Sequence, residues 1–351
     1  MGEEEKQNWQ KVRKFNWKYF SDYDLRRQFY KYSNLGSSVL SEEKLKKLSA
    51  LISDMQEIYS TAKICAFDDP KNCNLTLEPE LTNIFANSRN PDELTHAWIN
   101  WRKAVGPRCK NLFKEYVELS NEAARLNNFK DAGEEWLENY EDSQIKQQFK
   151  ALWQQVKPLY LQIHAYVRFH LRKKYGDIVS KDGPIPAHLL GFHEAIGDLI
   201  SLSVQSRKHL RKLGLLKSNK NDSEEVLNSL FMIGLDKIVY LPFAYLLDLW
   251  RWEVFAGKVT PNNYNHKWWK LREKYQGIAP PVSRSEADFD PAAKYHTIGS
   301  VPYIRYFVSV IIQFQFHQAL CKLAGEYVPN DPSKPLHKCD IYQNTDAGNA
   351  L

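Results

Sequence analysis

The sequence contains no His-Glu-x-x-His motif. Its one His-Glu dipeptide is His193-Glu194, and Gly197 stands four residues after His193. A helical zinc site of the metallopeptidase kind needs a second His there, because residues i and i+4 lie on one face of a helix. A phosphate-binding Gly-rich loop, Cys-x-x-Cys and Gly-x-Ser-x-Gly are absent as well. Chemistry by any of these motifs is therefore not expected.

Long hydrophobic runs and a strong charge imbalance are also absent. The apolar stretch 307–316 is interrupted by Ser309, Gln313 and Gln315, so no run reaches the roughly 20 residues that span a bilayer, and no membrane span is expected. The 48 basic and 42 acidic residues leave a net charge of only +6, which predicts no nucleic-acid partner. The first residues have neither a basic nor an apolar region, and no signal peptide is expected.

The pattern that is present is helical. The 351 residues are 43% hydrophobic, with 10 Trp, 19 Tyr and 17 Phe, enough for a large core. The best helix begins near Ser143 and ends at Gly176, with Pro158 expected to kink it. Its apolar residues recur in steps of three and four, namely Ile145, Phe149, Leu152, Val156, Leu159, Ile163, Val167 and Leu171.

Four further helices follow from caps and periodicity. One follows Ser41 as its N-cap, one runs from about Lys110 to Leu126, and one begins at Ser223 with an acidic first turn. Pro242 then interrupts an apolar segment that continues to Gly257, and Ser300 with Pro302 opens a last long helix to about Gly325. Residues 277–300 are predicted to form an ordered loop.

Cysteines and sequons indicate an oxidising compartment. The two short-range pairs, Cys65 with Cys73 and Cys321 with Cys339, would close small loops common in secreted proteins. Two glycosylation sequons begin at Asn74 and Asn221, and they act only in the secretory pathway. These signals favour a secreted or extracellular protein, although the sequence carries no visible signal peptide.

Nine segments, in order along the chain, resemble the angiotensin-converting enzyme family, the zinc peptidyl-dipeptidases. They are Ala97 to Arg102 (AWINWR), Glu122 to Asn127 (EAARLN), His164 to Arg168 (HAYVR), Gly183 to Leu190 (GPIPAHLL), Gly191 to Asp198 (GFHEAIGD), Trp250 to Trp252 (WRW), Lys274 to Gly277 (KYQG), Val301 to Phe307 (VPYIRYF) and Leu336 to Tyr342 (LHKCDIY). The resemblance extends more weakly to about Gln10.

The resemblance implies that a segment is missing between Leu190 and Gly191. In the family this segment carries the His-Glu-x-x-His helix, with two zinc ligands and the general base. Glu194 matches the third zinc ligand, and Asp198 matches a carboxylate that orients a ligand His. Catalytic zinc needs three protein ligands and an open position for water, so the resemblance predicts that zinc binding and catalysis are lost. The family's helices beyond about Leu351 are absent too.

The substrate side of the family is better preserved. The resemblance implies that Lys294 and Tyr303 hold a peptide's C-terminal carboxylate, that His296 bonds a substrate carbonyl, and that Tyr306 stabilises the tetrahedral oxyanion. An ammonium and a phenol suit a carboxylate, and a second phenol suits developing charge. Without the resemblance, two tyrosines in an aromatic-rich helix are equally well explained as core residues.

The resemblance also implies chloride sites and two disulfides. One chloride set matches Arg102, Trp268 and Arg272, and the other matches Tyr140 and Arg305. Arginine suits an anion site because it is always charged and weakly hydrated, yet buried arginines without an anion usually pair with carboxylates, so both readings stay open. Cys65–Cys73 and Cys321–Cys339 match the family's disulfides, and Cys109 has no evident partner.

Together these observations predict an all-α protein, one large helical peptidase-like domain over residues 1–351, with two lobes around a central cleft and part of its core deleted. Its function is expected to be that of an inactive family member with weak binding of peptide C-termini. Two alternatives stay open: an active zinc dipeptidyl carboxypeptidase whose longer transcript encodes the missing motif, and a non-enzymatic ectodomain that binds proteins. The sequence does not determine the oligomeric state.

Overall fold

The structure is a computed structural model, and it describes residues 2–190, 207–216 and 223–350. Regular structure in these ranges is almost entirely helical, which confirms the predicted all-α class. The strands found there are Ile185–Pro186 (β1) and Ile278–Ala279 (β2), which pair in parallel, Ile185 with Ile278. The α-helices before β1 are Gly2–Val12 (α1), Tyr23–Tyr32 (α2), Glu42–Thr61 (α3), Thr82–Asn87 (α4), Pro91–Leu126 (α5), Ala132–Glu138 (α6) and Ile145–Tyr175 (α7).

The remaining α-helices belong to the second half of the chain. They are Arg207–Lys212 (α8), Ser223–Ile233 (α9), Leu241–Phe255 (α10), Tyr264–Gln276 (α11), Tyr295–Ile298 (α12), Ile304–Leu323 (α13) and Thr345–Ala350 (α14). The predicted loop 277–300 is ordered and contains β2, a short 3-10 turn at Asp290–Ala293 and α12. Pro242 lies in the first turn of α10, where its missing N–H breaks no hydrogen bond within the helix.

The chain divides into two compact units. The first contains Met1–Lys150, Leu171–Phe192 and Leu246–Pro302, and the second contains Ala151–His170, His193–Tyr245 and Tyr303–Leu351. Both α7 and α10 contribute to both units. The cleft between two lobes stays a prediction, and each unit is described by itself below.

The longest helix, α5, organises the core of the first unit and packs against α3. Asn90 caps it by accepting hydrogen bonds from the backbone N–H groups of Asp92 and Glu93, and Pro91 occupies the first turn. Sequence periodicity placed its start near Lys110, which is wrong by about five turns. Its buried side chains include the predicted Phe113, Tyr116, Val117 and Ala124.

Aromatic rings surround the middle of α5. The ring of Phe113 lies 5.7 Å from that of Trp250, 5.9 Å from Tyr264 and 5.2 Å from Phe289, measured between centroids. All four side chains are at most 2% exposed. Rings in offset or edge contact at these distances stabilise a core beyond their buried area, so this cluster joins α5, α10, α11 and the turn before Asp290 into one core.

The predicted apolar stripe of α7 is displaced by one residue over part of its length. Leu159, predicted to be buried, is 53% exposed, whereas the adjacent Tyr160 is 3% exposed. Trp153 is likewise buried where Leu152 was expected. One residue rotates a helix by about 100°, so Trp153 and Tyr160 face inward here and Leu159 turns outward, while Ile163 is buried as predicted. Gly176 ends the helix with φ +62°, as predicted.

The second unit contains a buried His–Asp pair. Nδ1 of His209 lies 3.1 Å from Oδ1 of Asp340, and both side chains are at most 5% exposed. The ring of Tyr342 packs on His209 edge-on at 5.1 Å. These contacts join α8 to the segment that follows the disulfide cysteine Cys339.

One helical stretch, Ser223–Phe255, has the length and hydropathy of a membrane span, with a mean hydropathy of 1.6. This match rests on length and composition alone, and core helices of soluble proteins meet the same criterion. Its C-terminal half carries the buried charged residues Asp248 and Arg251. The expected lack of a membrane span therefore stays a prediction.

Candidate functional site

The first unit gathers the three residues of one predicted chloride set. Arg102 lies on α5, and Trp268 and Arg272 lie one turn apart on α11. The guanidinium carbon of Arg272 is 5.8 Å from the centroids of both the Trp268 and the Trp269 rings. The guanidinium of Arg102 lies 3.8 Å from the ring of Trp98 on its own helix. Indole faces attract cations. The tryptophan rings therefore stabilise the two guanidinium groups at positions where burial removes their hydration.

A third arginine, Arg284, lies beside this pair and is neutralised. Its Nε and Nη2 donate to the two oxygens of Asp290 at 2.9 and 2.5 Å, and its guanidinium is 5.4 Å from the Trp98 ring. Asp290 also accepts from the indole N–H of Trp269 at 2.7 Å. This bidentate pairing is the strong arginine–carboxylate geometry, and neither Arg284 nor Asp290 was predicted. In the sequence, Asp290 stands between Phe289 and Pro291, and nothing in that pattern indicates that it pairs with Arg284.

The positive charge of Arg102 has fewer hydrogen-bonding and carboxylate partners than that of Arg284. Its Nη1 donates to the Trp98 carbonyl at 3.2 Å, and its buried Nε has no hydrogen-bond partner in the described part of the chain. Burial lowers the pKa of Arg102 to about 9, with Asp290 opposing this shift and the charges of Arg272 and Arg284 adding to it. Burial alone would raise the pKa of Asp290, but its bond to Arg284 and the nearby charges hold it below the usual range. Arg102 is therefore a partly compensated cation beside two other arginines, which suits an anion.

A buried ion pair holds the segment that carries His296. Nε of Arg251 donates to Oδ1 of Asp248 at 2.8 Å, and both side chains are 0% exposed. Nη1 of Arg251 donates to the carbonyl of His296 at 2.8 Å, and Nη2 donates to that of Val301 at 2.7 Å. Because a buried guanidinium needs all its donors satisfied, this arginine fixes the backbone within and just after α12.

Lys294 and His296 bracket the start of α12 in the first unit. Lys294 is the N-cap residue, with extended backbone (φ −114°, ψ 118°), and its carbonyl accepts from the N–H of Thr297 at 3.0 Å. Ser300, with φ +56°, closes the segment and shares a 2.7 Å hydrogen bond with the hydroxyl of Tyr116. The predicted substrate residues of this unit thus lie on a backbone fixed at both ends.

Tyr303 and Tyr306 lie together in the second unit, 4.7 Å apart between ring centroids. Tyr240, which sequence reasoning missed, joins them: its hydroxyl donates to that of Tyr303 at 2.6 Å. Phe243 packs edge-on against Tyr303 at 5.5 Å. Tyr303 is 0% exposed, so a carboxylate reaches its hydroxyl only when neighbouring side chains move. In the apolar stretch 238–241 before Pro242, Tyr240 is the one residue with a polar tip. This signal could have identified it.

The other predicted site residues are distributed as follows. Tyr140 belongs to the first unit, where its ring packs edge-on against Phe149 at 5.4 Å, and Arg305 is exposed in the second. Glu194, Asp198 and Asn221 lie outside the described residues. Asn74 is exposed, and its side-chain oxygen accepts from Lys63 at 3.4 Å. The roles of these residues stay predictions.

Both predicted disulfides are present. Cys65 is bonded to Cys73 and Cys321 to Cys339. Cys109 is a free thiol in the core, and burial raises its pKa to about 12. A thiol with that pKa stays protonated and inert at neutral pH.

The donors in the described ranges do not fit a catalytic zinc site. The one cluster of three possible ligands found there is His317 with Cys321 and Cys339, and its two sulfur atoms form a disulfide. His188 is buried next to the junction at 190–191, and its Nδ1 has no hydrogen-bond partner in that part of the chain. No carboxylate belongs to the cluster at His317 within the described ranges.

Comparison with known proteins supports the family resemblance. The family profile described as Angiotensin-converting enzyme (Peptidase_M2) matches residues 1–191 and 191–351. The angiotensin-converting enzyme of Haematobia irritans exigua is 34% identical over 470 residues, covering 96% of this chain and 77% of that protein. That of Mesocricetus auratus is 35% identical over 473 residues, covering 97% of this chain and 35% of that protein. The chain thus spans about a third of the length of some relatives, and it belongs to the angiotensin-converting enzyme family of zinc metallopeptidases.

Proposed function

We propose that this chain is a catalytically inactive member of the angiotensin-converting enzyme family that keeps a weak site for peptide C-termini. The observation that carries the proposal is the lack of any His-Glu-x-x-His in the sequence. Two zinc-ligand histidines and the general base are then missing. Glu194 alone cannot supply the three protein ligands that a catalytic zinc needs.

The alignments support an internal deletion. The 470 aligned positions of the Haematobia protein exceed the 351 residues of this chain by 119, so at least that many positions have no residue here. The family profile matches in two parts that meet at residue 191. That boundary coincides with the junction predicted from the flanking motifs at Leu190 and Gly191.

The binding part of the proposal rests on Lys294 and Tyr303. A lysine ammonium and a tyrosine hydroxyl can both donate to a terminal carboxylate. Arg251 holds the backbone near Lys294, and the hydroxyl of Tyr303 accepts a hydrogen bond from that of Tyr240. Because Tyr303 is buried, part of any binding energy is used to move its neighbours, and weak affinity is expected.

The test is zinc content per purified chain, with hydrolysis of a dipeptide-releasing substrate followed on the same sample. We expect no chelator-sensitive turnover. Binding of a short peptide with a free C-terminus is then measured by calorimetry for the parent chain, Lys294→Ala and the exposed control Lys258→Ala. Loss of binding only in Lys294→Ala supports the site. Chelator-sensitive turnover with stoichiometric zinc overturns the proposed inactivity.

Two alternatives make different predictions. An active peptidyl-dipeptidase requires a longer transcript that encodes His-Glu-x-x-His between Leu190 and Gly191, and sequencing of transcripts detects it. A protein-binding ectodomain uses its outer surface, so partner binding would survive changes at Lys294 and Tyr303. Two disulfides and the exposed sequon at Asn74 favour secretion for all three possibilities.

We further infer that the cluster of Arg102, Arg272 and Trp268 binds chloride. Its support is the buried, incompletely bonded guanidinium of Arg102 beside a second arginine. Thermal unfolding is compared in sodium chloride and in sodium gluconate of equal ionic strength. Chloride at 100 times its Kd would stabilise the fold by about 2.7 kcal/mol.

Two variants on the same helix separate this effect from general salt effects. Arg102→Gln should abolish the difference between the two salts, while Lys103→Gln, an exposed neighbour, should keep it. Equal unfolding temperatures of the parent chain in both salts would contradict chloride binding.

A further inference from the structure

A buried cluster in the second unit combines one histidine with two cysteines. His317 and Cys321 lie on α13, four residues apart and hence on one helix face, and Cys339 follows from a later segment. The ligand atoms of all three residues lie within 4.8 Å of one another, and all three side chains are buried. Sγ of Cys321 is 3.7 Å from both ring nitrogens of His317.

The separation of His317 and Cys321 is close to that of two ligands in a tetrahedral zinc site. With Zn–S near 2.3 Å and Zn–N near 2.1 Å, two ligand atoms in a tetrahedron lie about 3.5 to 3.8 Å apart. The distance between His317 and Cys321 already has this value. The two sulfur atoms are now 2.01 Å apart in the disulfide, and their Cα atoms are 6.0 Å apart. Without the S–S bond the sulfur atoms can separate to the tetrahedral distance.

The surroundings of His317 also suit a ligand. The backbone of Leu336 makes a hydrogen bond with the imidazole. Ligating histidines commonly bond a backbone group through one ring nitrogen, which fixes the tautomer and leaves the other nitrogen for the metal. Two thiolates and an imidazole favour Zn²⁺ over Mg²⁺ or Ca²⁺, which prefer oxygen ligands.

We propose that His317, Cys321 and Cys339 form a zinc site in the reduced chain, and that formation of the Cys321–Cys339 disulfide closes it. A newly synthesised chain carries both thiols. Binding of Zn²⁺ releases their two protons. Oxidation of the two thiolates by a disulfide-donating protein forms the S–S bond and releases Zn²⁺, and the donor disulfide is reduced to a dithiol that takes up two protons from solvent. This site is independent of the peptidase chemistry and uses none of its residues.

The test compares zinc binding by the reduced and the oxidised full-length chain. One batch is produced in a reducing cytosol and kept in a phosphine reductant, and the other is oxidised to its two disulfides. We expect the reduced chain to bind one Zn²⁺ and, with Co²⁺ as the probe, to develop the charge-transfer absorption of thiolate ligands. The oxidised chain should do neither. Equal metal binding in both forms overturns the proposal.

Three variants assign the site. His317→Gln should weaken metal binding by the reduced chain at least tenfold, and its oxidised form reports whether the variant folds. Replacing Cys65 and Cys73 by Ser should leave binding unchanged, because that pair lies elsewhere, as should Cys109→Ser. Unchanged affinity in His317→Gln overturns the proposal. If the reduced chain unfolds, restoration of its helical signal by Zn²⁺ supports the site, and failure to restore it argues against the site.

These variants also show which site holds any zinc that is measured in the test of the proposed function. Zinc that disappears in His317→Gln or after oxidation belongs to the cysteine cluster. Zinc that survives both, with chelator-sensitive turnover, belongs to a peptidase centre. The two proposals therefore fail separately.

Discussion

His188 is a buried titratable side chain two residues before the junction at 190–191. It is 4% exposed, and its Nδ1 has no hydrogen-bond partner among the residues that the structure describes. Burial lowers its pKa to about 4, because the charged imidazolium loses its hydration there. A neutral imidazole in this position tolerates burial, whereas a protonated one does not.

The pH dependence of stability should reveal this group. The unfolded imidazole takes up a proton below about pH 6.5, and the folded one only below about pH 4. Between these values the unfolded state binds more protons, so the free energy of unfolding decreases as pH falls from about 6.5 to 4. We expect His188 to contribute about 2 kcal/mol to that decrease.

Denaturant unfolding of the parent chain and of His188→Asn at pH 7 and pH 4.5 measures the contribution. The variant should lose less stability between the two pH values. Two equal losses would mean that His188 is hydrated or paired at low pH.

At the scale of elements, α5 depends on a close backbone approach. A Cβ atom at Gly106 would lie 2.8 Å from the carbonyl oxygen of Phe289. Phe289 belongs to the aromatic cluster and precedes Asp290, the partner of Arg284. The glycine therefore lets the helix approach the turn that positions the arginine cluster.

Gly106→Ala should destabilise the fold despite the better helix propensity of alanine. Propensity favours alanine by about 1 kcal/mol, while overpacking against fixed backbone costs about 1–3 kcal/mol. We expect a net loss of up to about 2 kcal/mol in denaturant unfolding, and a smaller stabilisation by chloride. Gly234→Ala is the matched control, since its nearest neighbour is Cδ1 of Ile163 at 3.4 Å. Equal stability of the two variants would show that the turn at Phe289 shifts to make room for the added methyl group.

At the scale of the whole molecule, native folds are stable by only about 5–15 kcal/mol, and the internal deletion proposed above would reduce that margin. Each buried interaction that joins distant parts of the chain then contributes a larger share of the free energy of unfolding. The Asp248–Arg251 pair is one of these, since it ties α10 to the backbone at His296 and Val301.

Arg251→Met should lower the free energy of unfolding by about 3–5 kcal/mol, because it leaves a buried carboxylate without a partner. The double variant Asp248→Leu with Arg251→Met should recover part of that loss in the same denaturant experiment. Glu42→Gln, at the exposed pair with Lys46, should change stability by less than about 0.5 kcal/mol. A small effect of Arg251→Met would mean that water enters this region.

The sequence alone determined the all-α class, both disulfides, the free Cys109, the family and the lack of a His-Glu-x-x-His motif. These properties reside in local periodicity, residue type and ordered motifs. It misplaced the start of α5, because tertiary packing at Gly106 carries that helix through Pro107, and it chose Leu159 over Tyr160, because both fit the same helical period.

Only the tertiary structure decided which charges are compensated. Arg102 and Arg284 look alike in the sequence, but Arg284 pairs with Asp290 six residues later, while Arg102 lies near Arg272 and Arg284 from other segments. Likewise, the sequence paired Cys321 with Cys339, but only the folded chain places His317 beside both sulfur atoms. The surroundings of Arg102 and of His317 depend on which distant segments pack together, and local sequence preferences do not encode them.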